Sequence, residues 1–165
     1  MKVIRRIKID EVDLFKEIRL TALQDAPYAF SSSYESALHR SDESWHEQVE
    51  STAQGADRAT FIAFYDGAPV GIAAFYRQEG HSDVGEVLQV WVSPEHRGTN
   101  FAQDLMNAIF DWAGNNDFRT VNATVGRYNS RAIDFYTKIG FSNNEDLLSP
   151  NTNDEAILFT KYLQG

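Results

Sequence analysis

At 165 residues the chain has room for one domain with a full core (residues 1–165), and no repeat or Pro/Gly/Ser linker divides it. A formal net charge of −9 argues against sequence-independent binding of DNA or RNA and fits either a cationic substrate or plain solubility. With no cysteine there are no disulfides or thiolate metal sites, and the charge-interrupted N-terminus offers neither a signal peptide nor a membrane span, so the cytoplasm is the expected compartment.

Taken in order, residues 2–9 alternate apolar and basic side chains and predict a first strand. Asp10 is expected to cap a helix running to about residue 24, with Leu14, Phe15, Ile18 and Ala22 inward and Pro27 ending it. The turn-rich aromatic stretch Tyr28 to Tyr34 follows. Helical pieces are predicted over 34–40 and 42–53, the second capped by Asp42 with Trp45 and Val49 on one face. The histidines 39, 46, 81 and 96 show no spacing that suggests metal ligation. Ala59–Tyr65 and Ala68–Gln78 flank Asp66-Gly67, a strong hairpin signal, and Val84–Ser93 completes an antiparallel meander. Pro94 stops that third strand of the meander. A basic turn at Arg97-Gly98-Thr99-Asn100 leads into a helix over 98–114, whose apolar residues recur at helical spacing from Phe101 to Ala113. A strand at 118–125, a helix at 129–139 and a strand at 154–163 close the chain. The βα–βα run predicts parallel pairing in the second half, and the whole reads as an α+β domain around one mixed sheet.

Two stretches carry a resemblance. Arg97-Gly98-Thr99-Asn100-Phe101-Ala102 resembles the acetyl-CoA loop of the GNAT N-acetyltransferases, Gln/Arg-x-x-Gly-x-Gly/Ala, with Asn100 where the family usually has glycine. Asn is the non-glycine residue that best tolerates positive φ, so the turn can still form. Residues 129–141 match the family's other signature, Asn-x-x-Ala-x-x-Phe/Leu-Tyr-x-x-x-Gly-Phe, at every position. Here Asn129 suits an N-cap and Gly140 a left-handed stop. The resemblance covers roughly residues 59–163. It implies a mostly antiparallel mixed sheet of six to seven strands flanked by helices, with a cofactor loop between the fourth strand and the next helix.

The resemblance also implies roles. Acetyl-CoA would be the co-substrate, its pyrophosphate on Arg97, Gly98, Thr99, Asn100, Phe101 and Ala102. Its pantetheine arm and carbonyl would lie along Val90, Trp91 and Val92, with Asn129 touching the arm. Tyr136 would protonate the departing sulfur, a task a phenol suits chemically. Glu86 stands where many members carry an acidic base; strict alternation would place it on a largely apolar strand face with Leu88, Val90 and Val92, a setting suited to base work near neutrality. The base position of ribosomal-protein N-terminal acetyltransferases falls on Thr124, which cannot serve. Arg19, Tyr28, Phe30 and Tyr34 are placed near the acceptor, or pack as loop anchors. The implied reaction is acetyl transfer to a primary amine of a small molecule or to an exposed amino group of a larger one. No nucleic acid, membrane or metal is implied, and homodimerisation is left open. The alternative is a non-catalytic acyl-CoA-binding domain of the same fold, with Asn100 as a sign of drift.

Overall fold

The computed structural model describes residues 1–27, 33–144 and 156–163. In chain order the elements are β1 (Lys2–Arg6), α1 (Val12–Asp25), α2 (Tyr34–Leu38), α3 (Asp42–Ala53), β2 (Arg58–Tyr65), β3 (Ala68–Arg77), β4 (Val84–Val92), a short 3-10 turn (Pro94–His96), α4 (Phe101–Asn115), β5 (Thr120–Gly126), α5 (Ser130–Lys138), β6 (Ser142–Asn143) and β7 (Ala156–Tyr162). The strands form one seven-stranded mixed sheet in the order β1-β2-β3-β4-β5-β7-β6. The α+β architecture is the expected one. Asp66 and Gly67 both take positive φ (49° and 85°), the two-residue turn that matches the twist of a hairpin.

Several local expectations are corrected. β1 stops at Arg6 rather than residue 9. Helix α1 begins at Val12, so Asp10 does not cap it; Glu11 occupies the cap position without a side-chain cap bond. Its carboxylate is taken by the Arg5 guanidinium through two 2.8 Å bonds and by the Lys8 N–H at 2.9 Å. Ser41, not Asp42, caps α3: its backbone is extended and its Oγ accepts from the Ser44 N–H at 3.1 Å. Asp42 sits inside the first turn, where its charge complements the dipole. Helix α4 starts at Phe101 instead of residue 98, because Gly98 (φ 83°) and Asn100 (φ 68°) are left-handed and cannot belong to it.

The parallel pairing expected of the second half holds for one strand pair and is corrected for the rest. Parallel pairing between β4 and β5 covers Val84–Glu86 against Thr120–Asn122. Strand β7 then pairs antiparallel with both β5 and β6. The α5 crossover delivers β6 two places beyond β5, and β7 lies between them.

The backbone groups into two units, Met1–Phe75 with Gln89–Ile109, and Tyr76–Leu88 with Phe110–Gly165. In the first, Phe15, Ile18, Ala22 and Leu23 of α1 and Trp45 and Val49 of α3 pack with Ile62, Phe64, Ile72 and Trp91. Phe15 meets Trp45 edge-on at 5.8 Å. In the second, Tyr136, Phe141 and Phe159 form a buried aromatic group, with Val121, Ala123 and Val125 also buried.

The capping assignment is testable by urea unfolding. Ser41→Ala should cost about 1 kcal/mol, whereas Asp42→Ala should cost only a few tenths. The reverse order would return the cap to Asp42.

Candidate active site

The turn between β4 and α4 is built by exclusion. Pro94 cannot donate to a ladder, and the chain passes through the 3-10 turn before Gly98 and Asn100 reverse it. Asn100 adopts the left-handed conformation that glycine would otherwise supply, so its departure from the family pattern leaves the turn intact. The Asp104 N–H reaches the Asn100 carbonyl at 2.9 Å. The N–H groups of residues 101–103 precede that bond and are the orphan donors of the helix start, at the positive end of the α4 dipole. A Cβ built on Gly98 meets nothing within 4 Å, so the turn stands open on that side. These features fit a diphosphate.

Neighbouring side chains fix the turn. The Lys2 ammonium donates to the Thr99 carbonyl (3.1 Å) and to Asp104 (2.7 Å) and lies 4.6 Å from the centre of the Phe101 ring. Thr99 Oγ1 donates to the His96 carbonyl. Phe101 is buried against the rings of His96 (5.6 Å) and Tyr65 (6.3 Å). The Arg97 guanidinium folds back along its own strand, with Nε donating to the Val92 carbonyl at 3.0 Å and Nη2 to Asp25 at 2.7 Å. Trp91 is a core residue whose indole N–H donates to the same Asp25 oxygen at 2.9 Å. The indole N–H, and after it the Arg97 guanidinium, hold the Asp25 carboxyl below its ordinary 3.8. A depressed carboxyl stabilises the fold above that ordinary value, and the contribution fades as pH falls through the lower folded one.

The residues placed near the acceptor divide. Arg19 is buried on α1, and Tyr34 is half-buried against the first unit's core. Tyr28 and Phe30 lie outside the described residues.

The second unit holds the candidate acid and base. Asn129 caps α5, its Oδ1 accepting from the Ala132 N–H at 3.1 Å. Seven residues on, Tyr136 is buried, its ring 5.1 Å from Phe141 and stacked 6.5 Å from Phe159. Burial pushes its phenol up to about 12. Glu86 is half-buried and accepts from the Thr124 hydroxyl at 3.0 Å. Its setting is polar, which corrects the apolar face expected. Asn122 is its register partner, and Asn122 accepts in turn from the Thr160 hydroxyl at 2.8 Å. The alternation expected to carry Glu86 with Val90 and Val92 also fails, because Gln89 takes φ 60° and breaks the pleat between them.

Register places Tyr136 and Glu86, the candidate acid and base, on opposite faces of the sheet. Glu86 shares a row with Asn122 and Thr160, while Tyr136 stacks on Phe159, the partner of Ala123. Asn122 and Ala123 are consecutive, so their rows face opposite ways. Thr124, dismissed as a base, lies on the Glu86 face as a hydrogen-bond donor to its carboxylate. Asp25 and Lys2 carried no motif and were visible only once the fold joined distant segments. Among the described residues no cluster of His, Asp and Glu could hold a metal ion, and no helix is long and apolar enough to cross a membrane.

Comparison with known proteins identifies the family and the fold. The acetyltransferase (GNAT) family model matches residues 19–141, and the chain belongs to that family, whose members are acetyl-CoA-dependent acetyltransferases. An uncharacterized N-acetyltransferase of Methanocaldococcus jannaschii is 30% identical over 89 residues, 52% of this chain and 39% of that protein, so the chain matches well under half of that relative's length. A GNAT-family acetyltransferase structure from Streptococcus pneumoniae superposes with a TM-score of 0.81 at 16% identity, covering 99% of this chain and 100% of the other. The PaiA N-acetyltransferase of Thermoplasma acidophilum, solved with coenzyme A, gives 0.79 at 18% identity, covering 98% of this chain and 99% of the other. At such identities the likeness is one of fold.

The Tyr136 phenol offers a direct check. A raised phenol keeps its proton longer in the folded state, so its stabilising effect is present below the ordinary value of 10 and is lost as pH rises through about 12. Tyrosinate absorbance should show a phase near pH 12 that Tyr136→Phe removes. An unchanged curve would remove the buried phenol from the account.

Proposed function

We propose that this chain transfers the acetyl group of acetyl-CoA to a primary amine, either of a small molecule or exposed on a larger one, by direct attack. The observation that carries the reading is the open turn 97–102, with left-handed Gly98 and Asn100 ahead of unpaired helix N–H groups. Family membership supplies the donor, and the turn supplies what its diphosphate needs. Backbone groups of Val90 to Val92 are assigned to the pantetheine arm and the carbonyl, and Asn129 to the arm.

The chemistry follows from the two faces of the sheet. The amine nitrogen attacks the thioester carbon, the carbon–sulfur bond breaks, the amine proton passes to Glu86 and the Tyr136 proton to sulfur. Nucleophile and leaving group lie on different sides of the reacting carbon, which suits a base and an acid on opposite faces. Thr124 orients the Glu86 carboxylate through its hydroxyl. Tyr136 is protonated at neutral pH, as a phenol near 10 is anyway, and burial moves it further the same way. A dry setting that raises a phenol raises a thiol in the same direction, so burial alone does not set the two further apart. The acidic chain and the Glu86 carboxylate favour a cationic acceptor.

The test is acetyl-CoA turnover against a panel of amines, with binding measured in parallel. Tyr136→Phe should lower kcat by roughly 100-fold with donor affinity and Tm unchanged, and Glu86→Gln should lower kcat likewise. A parent protein that binds acetyl-CoA but acetylates nothing would leave only the acyl-CoA-binding reading.

A further inference from the structure

We propose that Asp25 is a positioning residue for the acetyl-CoA turn, and that Arg97 works by latching the turn to the core instead of contacting the donor's phosphates. The inference rests on the acetyl-CoA reading above. Arg97 opens the motif, and a basic residue beside an anion site invites the simple view that it pairs with the diphosphate. Its guanidinium is already engaged: Nε is spent on the Val92 carbonyl and Nη2 on Asp25. Guanidinium donors form a rigid fork, so two bonds on one edge fix the plane and direction of the whole group.

Asp25 is itself held from a second side. The indole N–H of Trp91 donates to the same oxygen, and Trp91 is buried in the core and cannot follow a moving loop. Asp25 ends α1, whose Phe15, Ile18, Ala22 and Leu23 lie in that core. The chain therefore reverses at Gly98 and Asn100 from a residue pinned to both the last turn of α1 and the end of β4. The open N–H groups of residues 101–103 take their direction from that anchor.

Electrostatics gives the opposite sign, which makes the proposal decidable. A carboxylate 2.7 Å from Arg97 cancels much of that residue's field and adds a negative charge near an anionic ligand. If charge alone mattered, Asp25→Asn would tighten acetyl-CoA binding. If Asp25 positions the turn, the same change weakens it.

The experiment is a double-mutant cycle on the full chain with Asp25→Asn, Arg97→Gln and the pair, following acetyl-CoA by calorimetry and by steady-state KM and kcat. Tm is measured for each variant, and binding is read well below the lowest. Each single change should raise Kd and KM for acetyl-CoA about tenfold, and the pair no more than either alone, with kcat at saturating donor falling less than twofold. Tighter or unchanged binding in Asp25→Asn, or losses that add in the pair, would overturn the latch while leaving the acetyl-CoA reading intact. No binding by the parent protein would overturn both.

Discussion

Everything at the candidate site depends on two residues that cannot be helical. Gly98 and Asn100 hold φ of 83° and 68°, so α4 starts at Phe101 and its first amides are left without acceptors. A right-handed residue at either place would let the helix grow backwards and consume those donors. The cost of a left-handed asparagine is of order 1 kcal/mol, and the surroundings repay it. Lys2 holds the Thr99 carbonyl from β1, Phe101 is buried, and Arg97 is tied to the end of β4 and to Asp25. The turn is thus specified by contacts outside it as much as by its own residues.

The sheet applies a second constraint in the other unit. Register alone sets Glu86 and Tyr136 on opposite faces, since Asn122 and Ala123 must point opposite ways. The two faces differ in character. The Glu86 face is hydrogen-bonded through Thr124, Asn122 and Thr160. The Tyr136 face is aromatic and dry, which pushes the phenol up. A single strand pairing separates a carboxylate kept wet from a phenol kept dry.

What could be read from the chain alone was local. The Asp-Gly hairpin, the α5 helix from its Asn129 cap to Gly140, and the tolerance of Asn100 for positive φ all depend on neighbours a few residues away. The caps misassigned to Asp10 and Asp42 were errors of one residue among adjacent polar candidates, where backbone conformation decides and composition does not. The rest was set by distant partners. Asp25 meets Arg97 across 72 positions and Trp91 across 66, and Thr124 meets Glu86 across 38. The insertion of β7 between β5 and β6 likewise has no local signature, because it depends on pairings with strands distant in sequence on both sides. The irregular Gln89 hid for the same reason: a glutamine in an apolar strand gives no warning of a left-handed backbone.

The central claim is that the amides at the start of α4 are the donor's anion site. Hydrogen exchange followed amide by amide, with and without acetyl-CoA, tests it most directly. The account predicts that acetyl-CoA slows exchange most strongly at residues 98–103, whose N–H groups exchange freely in its absence. Protection elsewhere, with those amides exchanging at the same rate in both states, would contradict it.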